Sequence, residues 1–217
     1  MNDTKRNSVK TRVPETSAVK RGNVQEGRGN MDMLPRVIEG NLVFLAPERR
    51  DNVPFYWKWA NDREVTRLTQ GYGRAPSLEA MQASYDKSAV ADDVRRFGVH
   101  LMSTGDLIGR CALKNLNLIV GRGEASILIG DEKQRGHGYG TEATRLLCAV
   151  GFVMLELHTI FLTVLACNPR AIASYHKVGF KDAGCLREAS ARDGKRVDIL
   201  YMDLLRGDLV PDTGLGV

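Results

Sequence analysis

Arg135-Gly136-His137-Gly138-Tyr139-Gly140 is the stretch on which the reading of this chain turns, because it lies between a strand pattern and a helix pattern and places three glycines in five positions. Glycines weaken any regular element, so the compensating gain is backbone N–H groups that come within bonding distance of a ligand. A helix that opens here points its unpaired amides and the positive end of its dipole outward, which suits an anion such as phosphate. The residues that follow, Thr141-Glu142-Ala143, lack the Lys-Ser/Thr of a triphosphate loop. The glycines also follow several antiparallel strand patterns rather than a first strand, which departs from the dinucleotide fingerprint. Taken by itself the loop is a weak signal, with a tight turn as the competing reading.

Working outward, Glu124 to Gly130 alternates Ala125, Ile127 and Ile129 with Ser126 and Leu128, a strand pattern. Arg96 to Met102 and Leu107 to Leu113 precede it, joined through Ser103-Thr104-Gly105-Asp106, and the three predict an antiparallel meander. Further upstream, Leu42 to Leu45 form a short strand that Ala46-Pro47 ends by removing a donor. Pro54 to Thr69 carries Phe55, Trp59, Val65 and Leu68 on helical spacing, and Pro76-Ser77 with Glu79 resembles a second capped helix start. Downstream of the loop, Ala143, Leu146, Leu147, Val150, Met154 and Leu157 predict one long amphipathic helix. Thr159 to Ala166 reads as a buried strand, and Pro169 to Val178 as a helix with Pro in its first turn and Gly179 at its end. Lys181 to Arg187 and Arg196 to Leu205 are the last strands, joined by the hairpin signal Asp193-Gly194.

Composition bounds the class. The 217 residues are 43% hydrophobic and 26% charged, an ordinary globular mix that excludes collagen-like, disulfide-scaffold and wholly disordered chains. A chain of this size buries enough surface to need neither metal nor disulfide. Residues 1 to 30 hold seven basic and three acidic side chains, so they account for four of the five excess positive charges. The rest is nearly neutral, which weakens the case for a nucleic-acid groove; polyanion contact is expected only weakly, through the basic tail. Residues 1–33 are read as a disordered basic tail, 34–210 as one domain and 211–217 as a flexible C-terminus. Cys111, Cys148, Cys167 and Cys185 show no zinc spacing and read as free thiols. No apolar run has signal-peptide or membrane-spanning length, so a cytoplasmic location and no membrane partner are expected. No metal is expected.

The order of these elements, with Arg-x-x-Gly-x-Gly opening a helix, then Asn168-Pro169-Arg170-Ala171, then Tyr175-x-Lys177-x-Gly179-Phe180, resembles the GNAT superfamily of N-acetyltransferases over about residues 36 to 206. Ile129-Gly130-Asp131, Gly140-Thr141-Glu142-Ala143 and the ending Asp193 to Asp198 with Met202 resemble the branch of ribosomal-protein N-terminal and spermidine/spermine acetyltransferases. The resemblance implies an α/β (α+β) fold with a mixed, mostly antiparallel sheet of about seven strands flanked by about four helices, the elements just read. It implies acetyl-CoA as co-substrate, with the pyrophosphate on the amides of Arg135, Gly136, His137, Gly138, Tyr139, Gly140 and Thr141. The pantetheine arm would pair with the backbone of Ile127, Leu128 and Ile129. Asn168 would bond the arm or the substrate, Ala171 would line the cofactor, and Tyr175 would protonate the departing thiolate. The acceptor would be an amine-bearing small molecule or a protein N-terminus, with a homodimer left open as the assembly.

Acetyl transfer from a thioester to an amine needs a cofactor grip, a neutral amine, an oxyanion donor and an acid for the thiolate. An amine with a pKa near 10.4 costs roughly 4 to 5 kcal/mol to neutralise at pH 7. Glu124, read as opening the strand before the loop, is the candidate base; a solvated edge carboxylate is the competing reading. Tyr175 is the candidate acid, or else a core aromatic. Lys177 either neutralises phosphate or lies on a solvated helix face. Trp57, Trp59, Asn61 and Asp62 lie in the helical insertion that covers the acceptor in the superfamily, where aromatics and a carboxylate can hold an ammonium group; core packing is the alternative for the tryptophans. Two other functions keep the same loop: a transferase of another acyl group, and an acyl-CoA-binding regulatory or interaction protein.

Overall fold

The computed structural model describes residues 34–69 and 73–211. The expected disordered tail over 1–33 and residues 212–217 of the expected flexible C-terminus lie outside these. Among the described residues eight strands form one sheet in the order β1-β2-β3-β4-β5-β6-β8-β7. The strands are β1 Ile38–Glu39, β2 Val43–Pro47, β3 Arg95–Leu101, β4 Leu107–Asn117, β5 Arg122–Ile129, β6 Thr159–Leu165, β7 Lys181–Arg192 and β8 Lys195–Leu205. The α-helices are α1 Val53–Ala60, α2 Arg63–Arg67, α3 Leu78–Ala89, α4 Tyr139–Ala149 and α5 Pro169–Val178.

The mixed, mostly antiparallel sheet matches the expectation, and its element count differs in two places for physical reasons. Strand β1 is a two-residue addition at the edge, paired as Ile38↔Leu45 and Glu39↔Phe44, too short to show periodicity. The single helix expected over Pro54–Thr69 is two, because Asp62 takes an extended backbone and its side chain accepts from the amides of Glu64 and Val65, restarting the helix at Arg63. The long helix expected to reach Leu157 also stops early. After Ala149 the chain widens into a π-turn over Val150–Met154, where Leu155 N donates to Val150 O at 3.2 Å and the Phe152 carbonyl accepts from Arg206.

Two apolar clusters hold the layers. Val43, Leu45, Val99 and Leu113 of the sheet pack with Leu146 and Leu147 of α4, Phe152, Ile160, Leu162, Phe180 and Met202 in the main core. A smaller cluster of Tyr56, Trp59 and Val65 closes on Leu107 and Leu128, placing α1 and α2 over that pair of strands. Glycine is required where these layers touch: a Cβ at Gly130 would stand 1.9 Å from the Trp59 ring. The Asp193-Gly194 hairpin forms as expected, with φ of 48° and 77°, both positive as a type I′ turn demands.

Among the described residues only β5 and β6 run parallel, and they pair for three residues: Arg122↔Thr159, Gly123↔Ile160 and Glu124↔Phe161. Beyond Glu124, β5 continues paired to β4 as far as Ile129, and β6 continues paired to β8 as far as Leu165. The facing edges of Ala125–Ile129 and Leu162–Leu165 therefore separate. The sheet opens there into a wedge.

Candidate active site

Strand backbone whose hydrogen bonds are not made within the sheet must find another partner. The wedge leaves such groups on the β6-facing edge of β5, over the span that contains Ile127, Leu128 and Ile129. Directly after β5 comes the glycine loop. Gly136 has φ +90° and Gly138 φ +87°, the left-handed region that suits glycine. Gly138 stands at the N-cap of α4, and the first internal bonds of that helix run from Thr141 N and Glu142 N to the Gly138 carbonyl. The amides of Tyr139 and Gly140 precede those bonds and remain available at the positive end of the helix. Open strand backbone followed by open helix amides fits a ligand with a polar, extended arm and an anionic end.

The ends of the expected phosphate loop contribute differently. Arg135 N donates to Glu132 O at 3.1 Å, so that amide is already used. Its guanidinium turns back, Nε to Ile129 O at 3.2 Å and Nη2 to Gly130 O at 3.0 Å, and thereby ties the loop to the end of β5. The Thr141 hydroxyl lies 2.8 Å from the Ser174 hydroxyl, joining the first turn of α4 to α5. His137 stacks on Tyr139 with ring centroids 5.7 Å apart.

Helix α5 brings the next residues. Asn168 caps it, its Oδ1 accepting from Ala171 N at 3.1 Å, while its Nδ2 donates to Leu68 O at 3.3 Å. That second bond ties the end of α2 to α5. Ala171 and Tyr175 pack against the main core, and the Tyr175 ring lies 5.9 Å from that of Phe180. The Tyr175 hydroxyl has no hydrogen-bond partner among the described residues, and burial pushes its pKa up to about 12. It therefore stays a neutral proton donor through the neutral range. Lys177 is exposed near the other end of α5, roughly 13 Å along the axis from Asn168 at 1.5 Å per residue.

Glu124 stands on β5 at the last pair before the wedge opens. Both of its oxygens are engaged, Oε1 by Lys114 Nζ at 2.9 Å and Oε2 by Asn115 Nδ2 at 2.7 Å. Trp57 is exposed and its indole donates to Pro76 O at 3.0 Å, as does the Asn61 side-chain amide at 3.1 Å. Trp59 is buried against Gly130, and Asp62 caps α2. The insertion thus stands over the sheet near the wedge, with Trp59 and Asp62 engaged in building it.

Three features were not read from the sequence. Glu142, 3% exposed, accepts from the amides of Asn41 at 2.8 Å, Leu42 at 2.8 Å and Val43 at 2.7 Å, and so pins the β1–β2 turn to the first turn of α4. Arg192, 8% exposed, donates to Arg67 O and Thr69 O, which fastens the end of α2 to the β7–β8 hairpin. Ser126 is the first exposed side chain on β5 past the last β5–β6 pair. Only the placement of Glu142 beside an apolar helical stripe hinted at burial. The buried thiols Cys111 and Cys148 have pKa values raised by desolvation, which keeps them protonated and poorly nucleophilic. Among the described residues no group of three or more metal-ligating side chains converges, and no helix is long and apolar enough to cross a membrane.

Comparison with known proteins agrees with this geometry. Residues 41–181 match the acetyltransferase (GNAT) domain. The chain is 31% identical over 171 residues to spermidine N(1)-acetyltransferase of Vibrio cholerae, covering 78% of this chain and 95% of that protein. It is 31% identical over 144 residues to the enzyme of the same name from Escherichia coli strain K12, covering 65% and 74%. The crystal structure of spermidine N-acetyltransferase from Vibrio cholerae in complex with CoA and spermine superposes with a TM-score of 0.70 at 26% identity, over 76% of this chain and 96% of that one.

Proposed function

The chain belongs to the GNAT acetyltransferase family, and from that premise we propose that its wedge and glycine loop together bind acetyl-CoA for direct transfer to the primary amine of a small molecule. The reaction class, acetyl transfer from acetyl-CoA to an amine, is that of the family and of the spermidine acetyltransferases the chain resembles. The observation that carries the reading of the site is the end of β5–β6 pairing at Glu124↔Phe161, immediately before a helix that opens on glycine.

In this reading the amides of Gly138, Tyr139 and Gly140 hold the pyrophosphate, and the backbone from Ala125 to Ile129 takes the pantetheine arm as an added strand. When bound, acetyl-CoA supplies the acetyl group already activated as a thioester. Tyr175, neutral and without a competing partner, donates its proton toward the departing sulfur. Glu124, the carboxylate that β5 itself contributes beside the wedge, receives the acceptor's proton through water, with Lys114 and Asn115 fixing its position. Arg135, Thr141 and Asn168 act by holding β5, α4, α5 and α2 in register around the wedge. The transferase domain spans 34–210 and works in the cytoplasm, in keeping with elements that run from Ile38 to Asp208.

The test is thiol release from acetyl-CoA with a panel of primary amines, paired with a calorimetric CoA titration. Release with at least one amine, together with CoA binding that weakens in Gly138→Ala, is the expected result. CoA binding without release for every amine would favour a binding module, and absence of binding would remove the site altogether.

A further inference from the structure

Strand β7 ends the sheet on one side, with β8 as its only strand neighbour among the described residues. Along it Lys181 to Ala189 are exposed without interruption on both faces, where an antiparallel strand ordinarily buries one face against the core. Leu186 is 49% exposed. The ladder of β7 runs to β8 alone, so among the described residues the N–H and C=O groups of its outer side are open. At 12 residues β7 is long for such an edge, and a long open edge is a template on which another strand can pair.

The sequence of this edge is complementary to itself. Laid antiparallel on a second copy about a two-fold axis between Gly184 and Cys185, Lys181 stands opposite Glu188, Asp182 opposite Arg187 and Ala183 opposite Leu186. Every charge from Lys181 to Glu188 meets its opposite, and the apolar residues meet each other. A slip of one residue in one direction sets Lys181 against Arg187, and in the other direction Asp182 against Glu188, so both neighbouring registers juxtapose like charges. Partners within the chain do not consume this pattern. Arg187 and Glu188 form no ion pair among the described residues; Asp198, the near carboxylate on β8, accepts from the Glu188 amide at 2.7 Å and faces the Cys185 thiol. Asp182 lies 3.6 Å from His176 Nε2, a partner that is charged only when protonated. Lys181 is already held by Asp208 at 2.6 Å, so the Asp182–Arg187 pairs carry the selection of register. Strand β7 is bulged against β8 between Asp182 and Gly184 and again between Leu186 and Ser190. The two-fold centre falls in the regular run between these bulges, and each charged pair beyond them includes a Lys or Arg long enough to span a local kink.

We infer that β7 is the seat of a homodimer, in which two copies of this chain pair their β7 strands antiparallel about the Gly184–Cys185 centre and join two eight-stranded sheets edge to edge. The occupant is a second copy because the complementarity is two-fold and contained in one short segment; recognition of a different protein requires no such palindrome of charge. The edge so covered lies two strands from the wedge, since Leu186 pairs with Ile199 and Ile199 with Leu165. At the far end of β7, Arg192 holds α2. The inference stands apart from the transferase reading and does not depend on it.

Sedimentation velocity on the full chain between about 1 and 100 μM reads the assembly. The wild type is expected at twice the chain mass, or an even multiple of it, at the upper end of that range. Asp182→Arg sets two arginines against each other across the axis and Arg187→Asp sets two aspartates, each twice per dimer. Attraction is thereby exchanged for repulsion, so each variant alone is expected to dissociate about 10- to 100-fold more readily. An equimolar mixture of the two variants restores both pairs and is expected to form a heterodimer within about threefold of the wild-type affinity, as is the double variant Asp182→Arg/Arg187→Asp with itself. Far-ultraviolet circular dichroism checks that each variant is folded. A wild type that is monomeric throughout the range, or an assembly that either substitution fails to weaken, overturns the proposal. A mixture of the two variants that stays monomeric overturns it as well, because Asp182 then does not face Arg187 of a second copy.

Discussion

Glu142→Gln separates the two purposes of one buried carboxylate. In the native structure Oε1 accepts from Asn41 N and Oε2 accepts from Leu42 N and Val43 N. A glutamine keeps one acceptor oxygen, which can stay with Leu42 and Val43, and turns its NH₂ toward the Asn41 amide, donor against donor. Two charge-assisted bonds become neutral ones at a cost of about 1 kcal/mol each, and the third is lost at about another 1 kcal/mol. The relief from burying a charge offsets part of this, leaving a net loss of roughly 2 to 3 kcal/mol. For a chain of this size that lowers Tm by about 4–12 °C. Urea unfolding followed by far-ultraviolet circular dichroism measures it. Because Leu42 approaches the site a Cβ would occupy on Gly138 at 3.6 Å, CoA affinity is expected to fall in the same variant. A Glu142→Gln protein within about 0.5 kcal/mol of wild type, with unchanged CoA affinity, would show that the three amides are as well served by water.

Tyr175→Phe is expected to lower kcat on the order of 10²-fold while CoA binding by calorimetry stays within about twofold; unchanged turnover removes the hydroxyl from the reaction. Gly138→Ala places a side chain at φ +87°, which costs about 1–2 kcal/mol, and the CoA dissociation constant should rise with it. Arg192→Met strands the Arg67 and Thr69 carbonyls, so the amine KM should rise and stability fall by about 1–3 kcal/mol in urea titration, with CoA affinity preserved. His100 is buried, its Nδ1 3.0 Å from Gly105 O, and burial lowers its pKa below 6.5. The unfolded chain then binds the extra proton first, so stability falls as pH drops below 6.5, and the wild type should show a steeper acid slope than His100→Gln.

Much of the architecture was legible because period and punctuation agreed: alternation in β5, the proline and glycine that bracket α5, and the Asp193-Gly194 turn each state their own geometry locally. The two misread helix boundaries had different causes. Asp62 restarts a helix through its own side chain, a local event masked by a continuous apolar pattern, whereas the π-turn after Ala149 goes with an Arg206 contact 54 residues away. At the site, the glycine loop and Tyr175 could be picked out from residue type and spacing. Glu142 and Arg192 could not, since each owes its character to partners on other strands and helices.

The short β5–β6 seam bears on how long the protein lasts as well as on what it does. Strands β1 to β5 form one half-sheet and β6, β8 and β7 the other, and only three residue pairs stitch their backbones together. A molecule lying along that gap splints the halves, so occupancy at a hundred times its dissociation constant adds about 2.7 kcal/mol against unfolding. Starvation for the acyl donor would then leave the molecule looser, and amide deuteration should appear first along Ala125–Ile129 and Leu162–Leu165, making persistence of the enzyme itself a gauge of supply.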